Sequence, residues 1–118
     1  MPRLRTGTVI VGYYAQKIRK ILYAQNRELI KTGQLGASEV ARAAGELNQR
    51  LYVALVERLV LSKGDIVRVE INYDIVGDRV VWDLGSLRLN VYRRVDPDTV
   101  DAALKAMRQE KLPVEAGG

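Results

Sequence analysis

The chain has 118 residues, the length of a single domain, and contains neither cysteine nor histidine. It therefore lacks disulfides, thiolate ligands and the commonest general base, so we expect no enzyme, no metal site and no cofactor. The formal net charge is +5 but is unevenly distributed: residues 1–35 hold seven Lys and Arg against one acid, whereas residues 36–118 hold twelve against thirteen. A local basic excess indicates a polyanionic partner.

The remaining composition is that of a globular protein, with 47% hydrophobic and 28% charged residues. No apolar run approaches the ~18 residues that a bilayer crossing needs, and no secretory signal follows the basic N-terminus. We therefore expect one cytoplasmic domain over residues 1–118, without a membrane partner. Residues 1–7 are predicted to form a flexible basic arm, and residues 112–118 a flexible tail.

The first half of the chain predicts a short strand and two long helices. Residues 8–11 form a β-type run, and apolar residues at helical spacing predict a first helix over residues 13–32. Ser38 fits the N-cap of a second helix that runs to about residue 62. Its second half, residues 51–56, is apolar on nearly all sides, which indicates cover by a second subunit.

The second half of the chain predicts a sheet. Residues 67–75 alternate apolar and polar side chains, which is typical of a half-buried strand, and Gly77–Asp78 predicts a hairpin turn. This turn pairs Tyr73 with Trp82, and both are expected in the core. A second turn at residues 85–86 would then complete a three-stranded antiparallel meander.

A last helix is predicted over residues 96–110, with an Asp-Pro start and its apolar side inward. Strands and helices do not alternate as in crossover units, so the predicted class is α+β. Tyr52, on the second helix, is also expected in the core.

The first predicted helix carries the stronger candidate site. At about 100° per residue, its basic residues fall in one stripe with a tyrosine in it and another on its flank, and the apolar stripe lies opposite. Basic side chains contact phosphates and tyrosine rings stack on unpaired bases, so the pattern is typical of single-stranded nucleic-acid binding. A solvated helix face would show the same pattern. The residues are Tyr13, Lys17, Lys20, Tyr23, Arg27 and Lys31.

The polar face of the predicted sheet is a second candidate. It carries basic and aromatic residues, among them Arg88, Tyr92 and Arg94, as do the sheets on which RNA bases stack. Three acids on this face dilute its charge, so it is the weaker candidate. Arg5 in the basic arm adds a further cation.

The segment from Thr6 to Gln25, TGTVIVGYYAQKIRKILYAQ, resembles the archaeal ThermoDBP family of single-stranded DNA-binding proteins and their shorter relatives. The resemblance extends to about residue 95. It implies a compact α+β domain without an OB-fold, sequence-tolerant binding of single-stranded DNA, and homo-oligomers, either dimers or tetramers. The residues in the matching stretch that it implicates are Tyr13, Tyr14, Lys17, Arg19, Lys20 and Tyr23.

The chain departs from that family in one respect. The ThermoDBP protein carries a zipper-like C-terminal extension, whereas no sustained heptads follow residue 95 here, so we expect a different assembly. Two alternatives to single-stranded DNA binding stay open. The same surface would serve an RNA-binding protein; competition between DNA and RNA of one sequence separates the two, since only RNA offers 2′-hydroxyls. The chain would instead be a homo-oligomeric scaffold if its apolar second helix were the working surface.

Overall fold

A computed structural model describes residues 1–110, in which helices pack on one face of an antiparallel sheet. The sheet order is β1-β2-β3, with both neighbouring pairs antiparallel. The predicted α+β class and the three-stranded antiparallel sheet are confirmed. The elements are β1 (Arg3–Ile10), a 3₁₀ turn (Val11–Tyr13), α1 (Tyr14–Gln25), α2 (Arg27–Lys31), α3 (Ala37–Tyr52), a π-helical segment (Val53–Arg58), β2 (Ile66–Val76), β3 (Arg79–Tyr92) and α4 (Pro97–Gln109).

The core lies between the helices and the inner face of the sheet. β2 buries every second side chain from Val67 to Tyr73, as the period-two pattern predicts. The rings of Tyr73 and Trp82 meet edge to face with 5.5 Å between their centroids, so the core positions predicted for both are confirmed. Tyr52 is 49% exposed; its predicted core position is wrong because it lies on the outward side of the last turn of α3.

The predicted basic arm is part of the sheet. β1 starts at Arg3 and pairs with β2, with Leu4 opposite Ile71. Gly7, with φ of +65°, lies where the register shifts between Arg5 and Thr8, a bulge at which glycine relieves the strain of a positive φ. The flexible-arm prediction is wrong because Leu4 is fully buried and the backbone of β1 hydrogen-bonds to an otherwise free edge of β2.

The predicted hairpin at Gly77–Asp78 forms, and Tyr73 lies opposite Trp82 as expected. The second predicted turn does not form, because β3 continues through residues 85–86 and bulges there. The Ser86 hydroxyl accepts a hydrogen bond from the Asn72 N–H at 2.8 Å and so replaces the missing ladder partner. The third strand of the sheet is therefore β1, on the other edge of β2.

The two long helices are each shorter than predicted. The first breaks at Asn26, whose buried amide donates to the Leu22 carbonyl at 2.9 Å and to the Tyr73 hydroxyl at 3.0 Å. α3 starts at Ala37 after Gly36, without a side-chain cap from Ser38. The hydrogen bond to Tyr73 ties this break to β2, and no local helical pattern encodes that contact.

α4 begins as predicted: the Asp96 carboxylate accepts from the Asp98 N–H at 2.9 Å, and Pro97 takes the first helical position. The prediction that its apolar side faces inward is wrong, because no residue of α4 is buried and Val100 and Met107 are 43% and 57% exposed. Amphipathic spacing predicts an apolar side but not what covers it. The predicted tail, residues 112–118, lies outside the described residues.

Candidate nucleic-acid interface

Helix α1 has one side in the core and the other in solvent. Tyr14, Ile18 and Leu22 are buried. Residues on the opposite side of the helix therefore point away from the sheet. Gln25 at the end of α1 is tied to the sheet, since it donates to the Arg3 carbonyl at 3.0 Å.

A groove of about 530 Å³ runs along this outward side of α1 and α2. Its lining is mostly apolar, with Tyr23, Ala24 and Ile30 among the lining residues, and it also includes basic side chains. The volume lies within the ~300–1,000 Å³ typical of ligand sites. Apolar and cationic side chains in one groove suit a base and its phosphate together. The lining residues are Gln16, Arg19, Lys20, Tyr23, Ala24, Arg27 and Ile30.

Both tyrosines of the outward face are paired with a cation. The Lys20 ammonium donates to the Tyr13 hydroxyl at 2.7 Å and lies 5.3 Å from the centre of that ring. The Arg19 guanidinium lies 5.8 Å from the centre of the Tyr23 ring. The Tyr23 hydroxyl donates to the Ala37 carbonyl at 3.0 Å, which fixes the ring beside the groove. Charge and aromatic surface therefore meet along one helix face.

The cations of this face have no carboxylate partner in the described part of the chain. The ion pairs of residues 1–110 involve only Arg3, Arg5, Arg42 and Arg79. Cations that no carboxylate neutralises attract phosphate without first breaking an internal ion pair. We call this surface the α1 face; its unpaired cations are Lys17, Arg19, Lys20, Arg27 and Lys31.

The outer face of the sheet is largely exposed within residues 1–110 and is basic over part of its length. Arg5 lies opposite Glu70, which lies opposite Arg88 on the other side, and the next row contains Arg68. Arg3 donates to the Glu70 carboxylate at 3.0 Å, and this hydrogen bond lowers the pKa of Glu70. One carboxylate is thus surrounded by four arginines.

Two of the three acids expected to dilute this sheet face lie on the hairpin side of the Glu70 row. Asp74 lies opposite Val81, and Asp83 opposite Asn72, towards the hairpin turn. At the other end, Ile66 lies between Ile10 and Tyr92 in one cross-strand row. We call the half from this row to the Glu70 row the sheet platform. It has exposed apolar and aromatic surface beside a basic patch.

The predicted candidate residues do not form one site. Tyr13, Lys17, Arg19, Lys20, Tyr23 and Arg27 lie together on the α1 face, whereas Arg5, Arg88 and Tyr92 lie on the outer side of the sheet. Because the helices pack on the inner side of the sheet, these two groups face opposite sides of the molecule.

Two predicted candidates lie on neither surface. Tyr14 is buried, with its hydroxyl donating to the Asn48 carbonyl at 3.3 Å, and burial raises its pKa. Its assignment to the site is wrong, because its ring fills the core and no base can stack on it. Arg94 lies beyond β3, where its guanidinium packs over Gly64 and its N–H donates to Asp65 at 2.7 Å. The chain turns away from the sheet there.

Sequence reasoning missed three groove residues, Gln16, Ala24 and Ile30. Gln16 and Ile30 belong to the same stripe as Lys20, Tyr23 and Arg27, at alternating spacings of four and three, so extending the stripe would have found them.

The described part of the chain contains no group of three or more His, Cys, Asp or Glu side chains placed to hold a metal ion. None of the helices within residues 1–110 has the length and apolar content needed to cross a membrane.

Fold and surface together define a small α+β protein with a basic, tyrosine-bearing helix face and an open sheet. The chain belongs to the archaeal ThermoDBP-related family, which matches residues 4–81. No curated protein matches it.

Two solved structures are similar over nearly the whole chain. One, a crystal structure of apeThermo-DBP-RP2 bound to ssDNA dT10, has 38% identity and a TM-score of 0.86 over 92% of this chain and 50% of that one. The other, a crystal structure of pfuThermo-DBP-RP1, has 31% identity and a TM-score of 0.71 over 91% of this chain and 69% of that one. This chain therefore spans about half the length of the first.

Proposed function

We propose that this chain binds single-stranded DNA with little sequence preference, through the groove of the α1 face and without catalysing a reaction. The observation that carries the proposal is the groove's mostly apolar lining, which contains a tyrosine together with Arg19, Lys20 and Arg27, none of which pairs with a carboxylate of residues 1–110. Phosphates would contact the cations of the groove, and bases would stack against its apolar lining.

The expected lack of sequence preference follows from the chemistry of the lining. Tyrosine rings stack on any base, and Lys and Arg attract any phosphate, so neither contact distinguishes one base from another. Apart from the basic residues, only Gln16 presents a side-chain amide able to read a base edge among the lining residues. The similar apeThermo-DBP-RP2 structure, bound to a thymidine strand, also supports single-stranded DNA as the ligand.

Fluorescence anisotropy with labelled single-stranded DNA, single-stranded RNA and duplex DNA of one sequence tests the proposal. At low and moderate salt we expect the DNA single strand to bind more tightly than the duplex, because only unpaired bases can stack. Binding should weaken with salt without vanishing. If all three nucleic acids bind equally and binding vanishes at moderate salt, the groove acts only through its positive charge and the proposal is wrong. If single-stranded RNA binds more tightly than single-stranded DNA, the ligand is RNA and not DNA.

We also propose that the chain self-associates. Tyr52, Leu59 and Val60 are 49%, 42% and 70% exposed at the end of the α3 region, and Leu104 and Met107 of α4 are also exposed. Apolar surface of this kind supports contact with a second copy. Sedimentation velocity should show a dimer or tetramer; a monomer at all concentrations would contradict this.

A further inference from the structure

The sheet platform is the second surface with charge complementary to DNA. Its central acid, Glu70, already accepts a hydrogen bond from Arg3 and lies 3.8 Å from the Arg5 guanidinium. Neither Arg68 nor Arg88 forms an ion pair within residues 1–110. The net charge around Glu70 is therefore positive, and two of its cations are available to a ligand.

Aromatic and apolar surface adjoins these cations. Tyr92 is 54% exposed and Ile10 is 50% exposed, and both flank Ile66 in one row across the three strands. Neighbouring strands lie ~4.8 Å apart, so the row forms a flat patch about two strand spacings wide. A ring beside apolar side chains on an open sheet is a surface on which an unpaired base stacks.

We propose that the sheet platform is a second binding surface for single-stranded DNA, so that one chain holds two separate strand segments on opposite sides. This rests on the proposed function, since it extends the same ligand to a second surface. Tyr92 and the apolar row contact bases, while Arg68 and Arg88 contact phosphates. Because the helical layer separates the platform from the α1 face, a short strand bound to one does not occupy the other.

Calorimetric titration with a six-nucleotide thymidine strand at low salt counts the surfaces. We expect two strands per chain for the wild type. The sheet variant Arg68→Ala/Arg88→Ala and the groove variant Lys20→Ala/Arg27→Ala should each bind one. The Lys105→Ala/Arg108→Ala variant removes the same charge from α4 and should still bind two. All the replaced side chains are exposed, so we expect circular dichroism to show each variant folded.

The two proposals fail in different variants. If the sheet variant binds as many strands as the wild type, the platform is not a DNA surface and this inference is overturned. If only the groove variant does so, the groove fails and the platform is the site. If the sheet variant changes the sedimentation coefficient but not the number of strands bound, a second copy of the chain covers the platform, which also overturns the inference.

Discussion

Helices α1 and α3 pack beside each other on the same sheet, but their outward cations differ. On α3, Arg42 donates to Glu39 at 2.6 Å and to Glu46 at 2.7 Å. On the α1 face, Lys20 of α1 and Arg27 of α2 have no carboxylate partner among the residues that the structure describes. The same kind of side chain thus stabilises the fold on one helix and is left for a ligand on the other.

The paired side of α3 also joins that helix to the sheet. The Val80 N–H donates to the Glu39 carboxylate at 2.8 Å, and Arg42 donates to the Val80 carbonyl at 3.2 Å. The Glu39 carboxylate therefore accepts hydrogen bonds both from the Arg42 side chain on α3 and from the backbone at the start of β3. Mutations on α3 should change stability, and mutations on the α1 face should change binding.

The largest effect is expected from Lys20→Ala/Arg27→Ala. For a single strand, each phosphate contact contributes about −0.7 to the slope of log K against log salt. If the variant and the wild type bind equally at about 1 M salt, the loss of two contacts should lower the affinity roughly 25-fold at about 0.1 M salt. The melting temperature should stay within a few degrees of the wild type, since both side chains are exposed. Anisotropy with labelled dT10 measures the first, and thermal unfolding the second.

The control for this variant is Lys105→Ala/Arg108→Ala on α4, which lowers the net charge equally. It should bind dT10 with nearly wild-type affinity. An equal loss in both variants would mean that binding responds to net charge alone.

Glu39→Gln should destabilise the fold by about 1.5 kcal/mol, because it weakens charged hydrogen bonds to Arg42 and Val80. Urea unfolding measures this change. Affinity for dT10 should remain unchanged at a temperature where the variant is folded. A loss of affinity without a loss of stability would reverse the roles we give to the two helices.

Tyr23→Leu should weaken binding by about 1 kcal/mol, or roughly fivefold, because it keeps an apolar side chain in the groove but removes the ring on which a base stacks. Tyr23→Phe keeps the ring and should bind nearly as the wild type does, although it loses the hydrogen bond to Ala37. The matched control is Tyr52→Leu on α3, a tyrosine outside the groove. If Tyr52→Leu weakens binding more than Tyr23→Leu, the stacking surface lies elsewhere.

The smallest effect concerns pH. The hydrogen bond from Arg42 lowers the pKa of Glu39 from 4.5 to about 2. A lowered folded-state pKa gives stability that is complete well above pH 4.5 and is lost as pH falls towards 2. At pH 4 the loss from Glu39 should be about half a kcal/mol, with allowance for solvent screening. Glu39→Gln should lack this component in urea unfolding between pH 6 and pH 4; an identical pH dependence in both proteins would contradict the assignment.

Local signals were sufficient where the partner in the fold is near in sequence. The hairpin at Gly77–Asp78 could be predicted because its strands are adjacent and their alternation matches across the turn. Pairing of β1 with β2 could not, since Leu4 and Ile71 are far apart in sequence and many registers fit so short a strand. The prediction of a second turn failed because the apolar alternation of residues 87–91 fits pairing with β2 as well as it fits pairing with the residues just before them.

The candidate site follows the same rule. The stripe through Lys20, Tyr23 and Arg27 runs along one side of α1 and α2 with helical spacing, so spacing alone could predict it. The adjacent Tyr13 and Tyr14 could not be separated by type; their positions on the helix put Tyr14 in the core and Tyr13 beside Lys20. The placement of Arg88 and Tyr92 on the opposite side of the molecule could not be predicted, because it depends on which face of the sheet the helices cover.

The most direct test of the unpaired α1 face is the salt dependence of dT10 binding in three proteins. With about four phosphates neutralised, the wild type should show a slope of log K against log salt of roughly −3. Lys20→Ala/Arg27→Ala should flatten it to about −1.5, whereas Arg42→Ala, which removes an already paired cation, should leave it near −3. Equal slopes in the wild type and the α1 variant, or an equal flattening by Arg42→Ala, would contradict the division between the two helices.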